Sequence, residues 1–218
     1  MKTLLFTVIA FLAITSCNSE NNDNTNRPDN SGSTAESFEK IKVDDNFDVY
    51  YTQGGKHSVR LDGDDANARI ECNGNTLHIY QNGGGHFDDN SNNVDVYVTS
   101  PTISGIEMNG EGDFKSESEV TAGNITIFIS HSADVQLRSL SCSRIEATAT
   151  GEGDIDIDRI KADELIATTT NTGNIDLQNA TIGKAVCTIT GEGDIDIDGH
   201  VGQCEQHVTG SGVVDIHD

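Results

Sequence analysis

Carboxylates recur in this chain at spacings that bear on chemistry. Asp154, Asp156, Asp176, Asp194 and Asp196 lie in or between two stretches, residues 150–158 and 190–198, that both read Thr-Gly-Glu-Gly-Asp-Ile-Asp-Ile-Asp. Oxygen ligands grouped in this way suit Ca²⁺, a hard cation that takes roughly six to eight of them. Carboxylate pairs held about 5 to 9.5 Å apart also suffice for glycoside hydrolysis. A third reading is a solvated acidic face with condensed counter-ions, because outward side chains splay and salt screens their repulsion. The run Asp194-x-Asp196-x-Asp198-Gly199, followed by Glu205, satisfies the EF-hand loop pattern. Such a loop needs flanking helices, however, and both flanks here alternate as strands do. The sister stretch continues with Arg159 and Leu165 where the Gly and Glu would stand.

Other reactive groups are sparse. Cys72, Cys142, Cys187 and Cys204 could form two disulfides in an oxidising compartment or fill the interior as small thiols. Without a Cys-x-x-Cys they do not suggest zinc, and His57, His78, His86, His131, His200, His207 and His217 are scattered and read as surface residues. There is no phosphate loop, since no helix pattern follows Gly83-Gly84-Gly85. Lys and Arg total 13 against 36 Asp and Glu, and the net charge of −23 excludes nucleic acid as a partner. With no Trp and 5% aromatic residues, platforms for sugar rings are few.

The elements that position these groups repeat. Phe114, Val135, Ile155, Ile175, Ile195 and Val214 each follow Gly-Asp or a degenerate copy of it, at steps of 21, 20, 20, 20 and 19 residues. Within a unit apolar residues alternate with polar ones, the period of a strand, and each unit holds about three short strands between corners. The expected fold is all-β: a parallel β-solenoid with rungs of about 20 residues. Its inward columns are Phe114/Val135/Ile155/Ile175/Ile195/Val214 and Ser116/Leu137/Ile157/Leu177/Ile197/Ile216. Outward, Lys115, Gln136, Asp156, Asp176, Asp196 and Asp215 stack beside Asp113, Asp134, Asp154, Asn174 and Asp194. A β-sandwich of hairpins is the alternative. In the solenoid, Cys187 and Cys204 fall in adjacent rungs two columns apart, which disfavours a bridge between them.

Four segments follow from this reading. Residues 1–16 form a lipoprotein signal peptide, with Met1-Lys2-Thr3, an apolar run from Leu4 to Ile14, and Ile14-Thr15-Ser16-Cys17 as a lipobox that makes Cys17 the acylated first residue. Residues 17–36 are a disordered tether, 37–100 a strand meander that caps the first rung, and 101–218 the repeat solenoid; 37–218 is one continuous domain. Asn73-Gly74 marks a hairpin, and Gln81 to Asn93 a mobile loop. Asn18 after the acylated Cys favours an outer-membrane location.

The opening Phe47-Asp-Val-Tyr-Tyr-Thr-Gln-Gly-Gly55, then Val59-Arg-Leu-Asp-Gly63, then the Gly-x-Gly-Asp-Ile rungs resemble the bacterial family of putative auto-transporter adhesins with a head GIN domain. The resemblance implies a solenoid-like all-β fold, a cell-envelope lipoprotein and an adhesive role, and it carries no catalytic residues. The function expected is therefore non-enzymatic: a lipid-anchored protein that presents an acidic surface to a glycan or protein ligand, with Ca²⁺ the one cofactor to test. A carbohydrate-active enzyme using the stacked Asp residues and a structural envelope protein associating end to end near Val213 to Ile216 are the alternatives.

Overall fold

The computed structural model describes residues 33–34, 36–63, 68–82 and 94–218. The signal peptide, Cys17, nearly all of the tether and most of the 81–93 loop lie outside the described residues. Ser31–Asp218 is one compact unit.

Among the described residues every regular element is a strand. In chain order they are β1 (Ser33–Thr34), β2 (Lys40–Asp45), β3 (Phe47–Gln53), β4 (Ser58–Asp62), β5 (Ala68–Asn73), β6 (Thr76–Gln81), β7 (Val94–Ser100), β8 (Gly105–Gly110), β9 (Phe114–His131), β10 (Val135–Ala149), β11 (Ile155–Ile157), β12 (Ile160–Thr169), β13 (Ile175–Ile189), β14 (Ile195–Val208) and β15 (Val214–His217). From β9 onward the pairing is parallel and in the register that the repeat dictates, with Val135 opposite both Phe114 and Ile155, Ile175 opposite Ile155 and Ile195, and Val214 opposite Ile195. The protein is a parallel β-solenoid, not a sandwich. The 21-residue step comes from a bulge, since Leu137 pairs with Ser116 but Ser139 with Glu119. The 19-residue step has the converse origin, because Asn179, at positive φ, has no counterpart between Ile197 and Gly199.

Burial follows the alternation. Phe114, Val135, Ile155, Ile175 and Ile195 are fully enclosed, as are Ile157, Leu177 and Ile197 in the second column. Val214 and Ile216, in the last rung, are only partly covered. Apolar area removed from water at about 25 cal/mol per Å² is the main stabilising term, and each rung supplies half of the enclosure of the next. Close backbone stacking at one corner explains the recurring Gly. A Cβ on Gly173 would lie 2.1 Å from the Gly153 carbonyl oxygen, and one on Gly193 would lie 2.1 Å from that of Gly173.

Before residue 100 the structure adds rungs that the period does not announce. Strands β6 and β7 form one parallel rung and β2 and β3 another; the second sits between the first and the rung of β8 and β9, so spatial order departs from chain order. Antiparallel strands close this end: β4 on β7, β1 on β4, and β5 on β6 through the expected hairpin, with Gly74 at φ 62°. Such strands turn the edge into a cap. The opposite end has no cap among the described residues, as β15 covers only Ile195 to Asp198 of β14.

Candidate functional site

One outer face collects the polar residues in register. Its strands, in spatial order, are β4, β7, β3, then the first parts of β9 and β10, β11, the first parts of β13 and β14, and β15. Side chains of odd parity on β3 are buried and those of even parity point out, which sets Asp48, Tyr50 and Thr52 on this face. The central outward column then reads Arg60, Tyr97, Tyr50, Lys115, Gln136, Asp156, Asp176, Asp196, Asp215. It is cationic and aromatic at the capped end and acidic at the other.

At the capped end the groups stack on one another. Tyr50 and Tyr97 lie ring on ring with centroids 5.1 Å apart, and the Arg60 guanidinium sits 4.0 Å over the Tyr97 ring, a cation–π contact. Lys115 follows Tyr50 in the column and is paired with Asp113 at 2.7 Å; that hydrogen bond raises the Lys115 pKa. Two concavities flank this point, one of about 420 Å³ lined by Tyr50, Arg60, Tyr97 and Thr99, and one of about 350 Å³ lined by Gln136, Arg138, Asp156 and Asp176. Lys115 and Glu117 line both, so the two concavities adjoin along the face. Glu117 keeps the outward parity of Lys115, beside the bulge.

The predicted acidic residues divide into two kinds. Asp154 and Asp194 belong to a ladder in which a side-chain oxygen accepts the backbone N–H of the next rung: Asp134 from Asp154 at 2.8 Å, Asp154 from Asn174 at 2.7 Å, Asn174 from Asp194 at 2.8 Å and Asp194 from Val213 at 2.7 Å. Asp48 serves Asp113 in the same way at 2.9 Å. These groups are spent on the corners. Asp156, Asp176 and Asp196 have no such task and stack in register. Burial first, and the charges of Asp154 and Asp176 next, push the Asp156 carboxyl up to about 6. Asp176 is raised by burial and by Asp196. Among the described residues no three His, Cys, Asp or Glu side chains converge as a metal cage would.

Among the remaining sequence candidates the Cys187 and Cys204 thiols interact, and the others are dispersed. Cys187 is buried, Cys72 and Cys142 half-buried and Cys204 exposed, all as free thiols. Cys187 lies opposite Gln206 and Cys204 opposite Ala185, the expected two-column offset. Burial pushes Cys142 up to about 11 and Cys187 to about 12, so neither is a nucleophile at neutral pH.

One polar network on another face had no signal in the sequence, where His78 reads as a surface residue. His78 Nε2 donates to Asp44 at 2.6 Å, Asn109 donates to both Asp44 and Glu107, and Lys42 donates to Glu107 at 2.7 Å. Burial would raise Asp44, but the bonds from Asn109 and His78 outweigh it and hold the carboxyl low. Its members come from β2, β6 and β8, which are neighbours only because β2 lies between the other two. Only a pairing between remote segments could have revealed it.

Residues 37–218 match the family described as putative auto-transporter adhesin, head GIN domain. The chain belongs to that family. Among solved structures it is similar to a putative adhesin from Bacteroides fragilis NCTC 9343, at 22% identity and a TM-score of 0.75, covering 85% of this chain and 94% of that one. A putative lipid binding protein from Parabacteroides distasonis ATCC 8503 shares 17% identity at a TM-score of 0.65, over 86% of this chain and 95% of that one. A putative adhesin from the same organism shares 20% identity at a TM-score of 0.62, over 85% and 95%. At these identities the likeness is one of fold. No curated protein sequence matches the chain. The family and two of these three neighbours are described as putative adhesins and the third as a putative lipid binding protein.

Proposed function

We propose that the protein is a non-enzymatic, lipid-anchored outer-membrane protein whose solenoid presents the groove around Lys115 and Glu117 to an extended polar ligand, a surface glycan or a protein segment. The observation that carries this reading is the adjacency of two concavities on one face, which sets a Tyr50/Tyr97/Arg60 end beside an Asp156/Asp176 end on strands locked in register. A rigid sheet face pre-pays the ordering cost of binding. The ring faces of Tyr97 are covered by Arg60 and Tyr50, which leaves tyrosine edges and hydroxyls, with the carboxylates, as the contact groups.

The test is binding of fluorescent Ser31–Asp218 to a glycan array and to intact cells. Tyr97→Ala and Lys115→Glu should weaken binding at least tenfold, whereas Lys161→Glu, away from the groove, should not; equal binding by all variants would reject the groove. Metabolic labelling with a fatty-acid analogue tests the anchor, which Cys17→Ala should abolish.

A carbohydrate-active reading has one observation in its favour, the Asp156 carboxyl at about 6, the range of a general acid. Release of reducing sugar from a glycan panel, lost in Asp156→Asn, would establish it; we expect none.

A further inference from the structure

The two ends of the solenoid are built differently. The end near β4 is closed by antiparallel strands, while among the described residues β14 has no partner on its outer side from Gly199 to Val208. Edge strands that stay unpaired are usually short, bulged, or guarded by Lys or Pro. This one is none of these: Gly-His-Val-Gly-Gln-Cys-Glu-Gln-His-Val holds one carboxylate and two imidazoles in a chain of net charge −23. Val208 and Val213, 43% and 58% exposed, are the large apolar side chains left open among the described residues, and both sit at this end. Val208 stacks on buried Ile189, Cys204 on Ala185 and Gln206 on Cys187, so their side chains point along inward columns that stop without a lid.

We propose that this end is covered by a second copy of the same chain, with β14 pairing antiparallel to its mate across a two-fold axis. The sequence is self-complementary in one register. With Gln206 opposite the mate's Gln206, the inward Cys204 faces Val208 and the outward Glu205 faces His207, each pair occurring twice. Neighbouring registers bring Glu205 onto itself, where like charges directly opposite are destabilising, or His207 onto itself, which leaves Glu205 opposite Thr209. Because the other end is capped, the contact is isologous and assembly stops at two copies rather than growing into a fibre. Strand β1 pairs with β4 at the capped end, so a tail-to-tail pair sets its two copies of β1 at its two far ends.

The experiment is sedimentation equilibrium of Ser31–Asp218 in about 0.15 M salt, where charge repulsion is screened beyond roughly 8 Å. We expect a reversible monomer–dimer equilibrium with a micromolar constant. Val208→Asp and, separately, Gln206→Lys should weaken it at least tenfold while the circular dichroism spectrum and Tm stay those of the parent. Val208→Cys should form an interchain disulfide with Cys204 of the mate under mild oxidation, seen as a dimer on a non-reducing gel and absent in Val208→Cys/Cys204→Ser. A monomer up to about 100 μM, an open-ended series of larger species, a dimer indifferent to both substitutions, or no cross-link would each overturn the proposal. A monomer that still bound cells would leave the adhesive reading intact.

Discussion

The side-chain amide of Gln53 holds both backbone groups of Thr121: Thr121 N–H donates to Oε1 at 2.7 Å, and Nε2 donates to the Thr121 carbonyl at 2.9 Å. The same Nε2 reaches the Pro101 carbonyl at 2.9 Å. Thr121 lies in the first strand segment of the third side of the solenoid, which has Ser141 above it and no strand below it among the described residues. A side chain thus takes the place of a missing peptide unit.

Replacing Gln53 by Ala is expected to cost about 1 kcal/mol, the net value of a hydrogen-bonded pair whose backbone partner can still reach water, and to lower Tm by about 2–4 °C. Gln53→Glu should do no better, because a carboxylate cannot donate to Thr121 or Pro101. Thermal unfolding of Ser31–Asp218 reads both.

The corner ladder separates two substitutions at one position. Asp154→Ala leaves the Asn174 N–H without its acceptor and should cost about 1–3 kcal/mol, whereas Asp154→Asn keeps the carbonyl that Asn174 itself uses toward Asp194. Urea midpoints should fall clearly for Ala and little for Asn. Equal loss in both would mean that charge, not the hydrogen bond, is what matters there.

Glycine should be irreplaceable at Gly173, where the new methyl would meet the Gly153 carbonyl at 2.1 Å, and replaceable at Gly123, where nothing lies within 4 Å. Gly173→Ala is predicted to lose more than about 3 kcal/mol or to fail to fold. Gly123→Ala should be neutral or stabilising by up to about 1 kcal/mol. Expression level and Tm compare the two.

Stability should rise as pH is lowered from about 7.5 to 5.5. Asp156, held at about 6 by burial and by its acidic neighbours, binds a proton in the folded state that the unfolded chain, with an ordinary Asp, gives up. Its contribution is complete below the unfolded value and disappears as pH rises through 6. Asp134 and Asp176, raised in the same direction, add to it. Asp44 and Glu107 are lowered and act oppositely, but only at more acid pH. Tm followed across this window should climb by a few degrees, and Asp156→Asn should flatten the climb.

With Asp154 and Asp194 engaged by backbone N–H groups, Ca²⁺ is expected to produce no saturable shift in Tm. A shift of several degrees that saturates and that Mg²⁺ fails to reproduce would instead assign Asp156, Asp176 and Asp196 to a cation site.

What could be read beforehand was what repeats. Ile155, Ile175 and Ile195 occupy one inward column because a rung takes about twenty residues, and the alternation around each of them fixes which neighbours face water. The Gly-x-Gly corners were visible for the same reason. The groove was not, since Tyr97, Tyr50 and Lys115 become neighbours only through the placing of β3 between β7 and β9, and no local pattern encodes that order. The Asp residues of the repeat were legible as a column but not in their task, because a ladder to backbone N–H and a row of outward carboxylates share the same spacing.

The misplaced second rung also decides how the molecule carries load. Tension applied at Ser33 first peels β1 from β4, and the next strand in line is β2, which is bonded to β6 on one side and to β8 on the other. Freeing it means breaking two ladders at once from inside the stack, instead of unzipping an outermost turn along the hydrogen bonds one by one. Pulled from its opposite terminus, the same protein would shed β15 and then β14, each bonded to the rest of the stack through one neighbour alone. The N-terminal end is therefore the mechanically stronger side of the stack.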